Sequence, residues 1–430
     1  AVQSQTKYAV TVYHEGAIRY TLEKAVHTAK SGRPGPVWVD IPLDIQSKQV
    51  KWDDLRGFEP AESSKQVFSL DGIKAERPLL VIGNGVHLAR AEEDCRQMVR
   101  LWDIPVVSSW LAADIVPTTD PLYVGRFGIF GDRASNFAVQ NADLLIVIGS
   151  RLSIPQTGYV ANHFARGARV VMVDIDEAEM AKPSLRVDWP IVADVGDFIR
   201  GTPNPRFECE WWVNRCQEWK AKYPVVSSEN RDGTGINSFK FIDQLSDELP
   251  DDAVVVTDMG TAFTCTFQAA RMKLGQRWFT AAGHAPMGYG LPGAVGAYYA
   301  TGKRITCIVG DGAIMFNLGT LKTIADEHLP IDIIVLDNGG YLTIKHTQMN
   351  HFGRFVGSEF RNPQWSALFG AFGLTARVVY MDPMQPLIPR SSSFKRPDGS
   401  ITSKPIEDLY PFLPRDEFRA QMIVPPVEAM

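Results

Sequence analysis

Apolar residues along this chain fall into two kinds of stretch: short unbroken runs and longer segments with helical spacing. Unbroken runs occur at Leu79 to Ile82, Val106 to Ser108, Leu144 to Ile148, Val170 to Ile175, Val254 to Thr257, Ile305 to Val309 and Ile331 to Leu336. They read as buried parallel strands, because a strand covered on both faces shows no polar alternation. Helical spacing lies between them, as in Ala89 to Trp102, in ECEWWVNRCQEWKAKY from Glu208, and in Asn317 to His328. In the last of these Leu318, Leu321, Ile324 and Ala325 share a face, and Pro330 stops the helix. Near the start, Ile18, Leu22, Ala25, Val26 and Ala29 line a further helix, which SGRPGPVWVDIP follows as a turn and a short strand. Strands alternating with helices predict an α/β chain of doubly wound, mostly parallel sheets.

Two polar stretches without periodicity, 48–66 and Ser227 to Gly235, divide the chain, and 381–430 is Pro-rich and polar. A length of 430 residues fits about three domains. The net charge of −5 and the lack of a basic run argue against a nucleic-acid partner, so a phosphate ligand has to be met by local groups and a metal. The cysteines at 95, 209, 216, 265 and 307 form no CxxC and read as reduced core thiols, which suggests the cytoplasm. The text contains neither a signal-peptide layout nor an apolar run long enough to span a membrane.

The chemistry concentrates where two strand runs end. Ile305 to Val309 runs into Gly310-Asp311-Gly312, and Ile331 to Leu336 runs into Asp337-Asn338. Neighbouring parallel strands place their carboxyl ends side by side, at the crevice where open α/β sheets bind ligands. Gly310 and Gly312 let backbone approach a phosphate, the following helix start offers free amides, and Asp311 with the Asn338 amide oxygen supplies hard ligands for Mg²⁺. A Gly-Asp-Gly alone is more often a plain turn. Paired through a helix with a strand ending in Asn, it is the signature of thiamine-diphosphate enzymes. From Thr6 to about Val379 the chain resembles their acetolactate synthase-like branch.

The resemblance implies five segments: the C-terminal end of a pyrimidine-binding domain (1–47), a linker (48–66), a middle domain (67–208), a diphosphate-binding domain (209–380) and a tail (381–430). The implied cofactors are thiamine diphosphate and Mg²⁺. Metal ligands would be Asp311, Asn338 and the Gly340 carbonyl; Gly260, Thr261, Gly310, Gly312, Ala313, Tyr341 and Leu342 would contact the cofactor. Ala285 would offer its carbonyl to the pyrimidine amine, Met287 would wedge between the cofactor rings and keep it bent, and His284 would line the acceptor side. The glutamate that activates the pyrimidine lies in the earlier part of the pyrimidine domain and is expected upstream. Glu15, in His14-Glu15-Gly16, comes too late in the pattern and reads as a solvated helix-start acid.

In that family the middle domain can hold FAD, and Gly83, Gly131, Arg151, Asp174 and Asp194 fall at its contact positions. Arg151-Leu152-Ser153 departs from the usual Arg-Phe-Asp, so the domain reads either as an FAD site or as a vestigial nucleotide site. Thr347 stands where enzymes preferring a larger acceptor carry tryptophan, so 2-ketobutyrate preference is not implied. The text is closer to relatives associated with surface-sugar pathways, whose tails fold over the active site. The implied reaction is decarboxylation of pyruvate and transfer of the two-carbon unit to a second carbonyl, from pyruvate or a keto sugar nucleotide; release of an aldehyde is the alternative. Working sites would lie between the chains of a homodimer or homotetramer.

Overall fold

The computed structural model describes residues 1–60, 68–70, 72–227, 236–395 and 399–427, so most of the linker at 227–235 and the end of that at 48–66 lie outside it. The first segment pairs β1 (Tyr8–Thr11) in parallel with β2 (Val37–Asp40) across the helix Ile18–Lys30.

The middle domain is a six-stranded parallel sheet of β3 (Pro78–Ile82), β4 (Val106–Ser108), β5 (Tyr123–Arg126), β6 (Leu144–Ile148), β7 (Arg169–Asp174) and β8 (Trp189–Val192). Its order is β5-β4-β3-β6-β7-β8, the 3-2-1-4-5-6 winding of dinucleotide-binding sheets, with its switch point between β3 and β6. The expected strands at 79, 106, 144 and 170 are its four central members. The expected helix at 89–102 is broken: Arg90 takes a left-handed turn, and the helix proper is Glu92–Trp102.

The third domain holds β9 (Val254–Thr257), β10 (Arg277–Phe279), β11 (Ile305–Gly310), β12 (Ile331–Asp337) and β13 (Arg377–Tyr380), all parallel, in the order β10-β9-β11-β12-β13. Counted from β9 this is 2-1-3-4-5, with the switch point between β9 and β11. The helix expected at 317–328 is assembled in pieces. A short helix, Asp311–Ile314, starts directly at the strand end, a 3₁₀ turn follows, and Thr320–Asp326 completes it with Leu321 and Ile324 buried.

Two expectations about packing change. The helix Glu210–Lys222, assigned above to the third domain, buries Trp212, Cys216 and Trp219 in the core of the middle domain. The tail, expected to fold over the active site, first packs Met381 and Leu387 into the third domain's core and is then strapped onto the middle domain. Ile406 and Phe418 join that domain's core, Glu407 is fully buried against Arg166 (2.8 Å) and Gln140 (2.5 Å), and Asn141 Oδ1 accepts from the backbone of Ile423 and Val424. Asn136, Gln140 and Asn141 are buried polar residues on Arg133–Asn141, and the tail's backbone and Glu407 satisfy them. A (β14, Ser393–Lys395) and (β15, Ile401–Ser403) hairpin interrupts the strap.

Buried polar ties join the middle and third domains. Arg126 donates to the carbonyls of Ala270 and Gln268. Asp114, buried, accepts from His87 Nε2, Arg277 Nη1 and Trp278 N, each at 2.8 Å. All five cysteines are buried and unpaired, as expected of core thiols. Among the described residues no helix is long and apolar enough to cross a membrane.

Candidate active site

Asp311 sits where the β11 backbone turns into the short helix, 2 % exposed. Its Oδ2 accepts from the backbone N–H of Asn338 (3.2 Å), Gly339 (2.8 Å) and Gly340 (3.2 Å), the turn that ends β12, while Oδ1 accepts from Gly312 N (2.8 Å). The predicted meeting of the two strand ends is thus made by one carboxylate gripping the neighbouring turn. Burial, the largest influence, pushes its pKa up, and the Asn362 and backbone donors only partly oppose this. A buried carboxylate in that condition gains from a cation beside it.

Asn338 is buried as well. Its Nδ2 donates to Thr261 Oγ1 at 3.4 Å, whereas its Oδ1 has no hydrogen-bond partner. A buried amide oxygen without a donor is costly, and a hard cation is the partner such an oxygen takes. The space beside it is open: a Cβ added at Gly260 or Gly310 would meet no atom within 4 Å. Gly260, at φ +73°, opens the helix Thr261–Ala269 at the end of β9, so free backbone N–H groups face the switch point. Gly312 is occupied differently, since its Cβ would come 2.5 Å from the Tyr341 ring, which packs edge-on against Phe360. Gly340 has φ +151°, and a Cβ there would fall 2.1 Å from the Ser358 carbonyl oxygen. Ala313 and Leu342 are buried beside this turn.

The loop before the helix Gly290–Thr301 carries the other predicted contacts. Ala285 has φ +54°, an uncommon conformation for a residue with a Cβ. Met287 is half-buried against the third domain's core, and His284 is exposed. Asp258, fully buried, holds this loop. Its Oδ1 accepts from Met259 N (2.8 Å) and Gly288 N (3.0 Å), and its Oδ2 from Gly290 N (2.8 Å).

A cavity of about 570 Å³ opens at the switch point of the middle sheet. Arg151, Asp174 and Asp194 line it; Gly83 and Gly131 do not. Gly83 serves close packing instead, since its Cβ would lie 2.2 Å from the Gly149 carbonyl oxygen, and Gly131 turns back on Gly128. Asp194 caps the helix Val195–Gly201, and burial pushes the Asp174 pKa up. The other walls come from elsewhere in the chain: Arg33 from the first segment, bound to Asp176 (2.8 Å) and Glu179 (2.7 Å), and Ala282 to His284 from the third domain.

Residues 73–201 match the family described as "Thiamine pyrophosphate enzyme, central domain", and residues 258–396 match "Thiamine pyrophosphate enzyme, C-terminal TPP binding domain". The chain is 31% identical to the acetolactate synthase large subunit of Parasynechococcus marenigrum, over 92% of this chain and 67% of that protein. It is 29% identical to the acetolactate synthase isozyme 2 large subunit of Escherichia coli, over 97% of this chain and 77% of that protein. The chain belongs to the acetolactate synthase-like thiamine pyrophosphate enzymes. Their C-terminal domain matches from Asp258 onward, which takes in the whole constellation around Asp311 and Asn338.

In the first segment Glu15 and Glu23 both have lowered pKa values. Glu15 is half-buried, and its own backbone N–H holds its pKa down. Glu23 is held down by Phe58 N–H and by Arg19. Two residues of the site were not foreseen. Asp258 stands at a strand end, as Asp311 does, so the same position signal identifies it. Asn362, which donates to both Asp311 and Asp337, lies in an aperiodic stretch and gives no such signal.

Proposed function

We propose that this chain decarboxylates pyruvate and transfers the two-carbon unit to a second carbonyl, using thiamine diphosphate held through Mg²⁺. The observation that carries the reading is the buried Asn338 Oδ1, lacking a partner and set beside a gripped carboxylate and an open glycine cradle. Asp311 and Asn338 would hold the cation together with the Gly340 carbonyl, and the Gly260 helix start would take the diphosphate. When bound, the cofactor supplies an electron sink for the pair released by the departing carboxylate. The chain's own contribution is placement. Asp258 pins the loop that carries Ala285 and Met287; the Ala285 carbonyl would receive the cofactor's amine, and the Met287 side chain would support its rings.

The middle-domain cavity would take a dinucleotide such as FAD, a reading supported by the sheet order and by Asn84, Ser150 and Arg151 beside Trp110 and Leu111. The protonating acid would come from the pyrimidine-binding domain of a second chain. Tyr13 and Leu43 on the first segment, and Phe316, Phe352 and Val356 on the third domain, offer exposed apolar surface for such pairing.

Calorimetry with thiamine diphosphate should show saturable binding that requires Mg²⁺. For a protein that also carries the glutamate-bearing part of the pyrimidine-binding domain, product analysis after addition of pyruvate should then give acetolactate, or a branched sugar when a keto sugar nucleotide is present. Acetaldehyde alone would assign the chain to the lyases instead, and no Mg²⁺-dependent binding would sink the reading.

A further inference from the structure

Asn362 has the geometry of a part of the cation site. Its Nδ2 donates at once to Asp311 Oδ2 (2.8 Å) and Asp337 Oδ1 (2.7 Å). Asp337 Oδ2 in turn accepts from the indole N–H of Trp365 (2.7 Å), whose ring is buried in the core of the third domain. A continuous series of hydrogen bonds therefore runs from a fixed core indole through Asp337 and Asn362 to Asp311.

The donors on Asp311 are unevenly shared. Oδ2 takes four, from the backbone of residues 338, 339 and 340 and from Asn362, while Oδ1 takes one, from Gly312. An ionised carboxylate offers roughly four lone-pair sites over its two oxygens, so Oδ2 is saturated and Oδ1 keeps capacity for a cation. Asn362 cannot turn its amide over, because its oxygen would then face two carboxylates. Its Oδ1 accordingly stays buried without a partner. A residue kept only to fill space would be favoured as an apolar side chain of similar shape.

We propose that Asn362 is a positioning residue for a hard divalent cation. It locks the rotation of Asp311 so that Oδ1 is the oxygen presented, and it separates the Asp311 and Asp337 carboxylates with a shared donor. This rests on the thiamine-diphosphate reading above. Outer partners of metal ligands are worth about 10–100-fold in metal affinity.

The test is calorimetric titration of Mg²⁺ into the full chain in the presence of excess thiamine diphosphate, with Mn²⁺ paramagnetic resonance as a second readout. Asn362→Leu, which keeps volume but donates nothing, is expected to weaken cation affinity by at least about 10-fold, in line with the effect of outer partners. Asn362→Ser, which can serve one carboxylate only, should fall between, and it carries the test if the Leu variant folds poorly. Cation affinity equal to that of the unsubstituted chain in a folded variant, even with a lowered Tm, would overturn this inference alone. Absence of Mg²⁺-dependent binding in the unsubstituted chain would overturn both it and the reading beneath it.

Discussion

In the proposed cation site Asp311 and Asn338 act by unequal means. Asp311→Ala removes a charged ligand and frees the turn at 338–340, so Mg²⁺-dependent thiamine-diphosphate binding should vanish in calorimetry. Asn338→Ala loses a neutral amide whose place water can take, and binding should weaken less. Asp258→Asn keeps the shape but points an N–H at one of three backbone donors; a loss of about 2 kcal/mol by denaturant unfolding is expected, together with weaker cofactor binding. The meeting of Asp311 with the turn at Asn338 was legible because both stand at the ends of neighbouring parallel strand runs. Asn362 was not, because its role depends on a fold-back of the 353–364 stretch that carries no periodic signal.

Elements built from unbroken apolar runs were legible, and those with polar or irregular members were not. Tyr123–Arg126 contains a glycine and a buried arginine, Trp189–Val192 is largely exposed and contains Pro190, and Arg277–Phe279 has three residues. Tertiary pairing, more than local pattern, makes these strands. The same holds for the tail, whose polar text hides a partner for the buried amides of Arg133–Asn141. Glu407→Ala should strip Arg166 and Gln140 of their buried partner and cost about 3–5 kcal/mol. Limited proteolysis should then cut within 381–427, where the unsubstituted chain resists. Gly340→Ala has to displace the Ser358 carbonyl and abandon a φ of +151°, so a loss on the order of 2 kcal/mol is expected by thermal unfolding.

Across the whole molecule, the tie at Asp114 should show in the dependence of stability on pH. Burial pushes its pKa up, but the His87 hydrogen bond, Arg277 and the Trp278 N–H outweigh that and hold it below the usual range. A carboxylate whose folded pKa is depressed stabilises above its unfolded pKa, roughly 4, and loses that contribution as pH falls through the folded value. The difference in unfolding free energy between the unsubstituted chain and Asp114→Asn should therefore be about 3 kcal/mol near neutrality and shrink below roughly pH 4. The two sheet orders were not legible, because strand sequence does not state which neighbours pair. They matter because residues 282–284 wall the middle-domain cavity and lead, within the same loop, to Ala285 and Met287. In the proposed reading, a dinucleotide in the cavity and thiamine diphosphate at the glycine cradle would both bear on this one short segment. Thermodynamic reciprocity then sets a constraint: whatever factor a dinucleotide imposes on the affinity for thiamine diphosphate, thiamine diphosphate must impose on the dinucleotide.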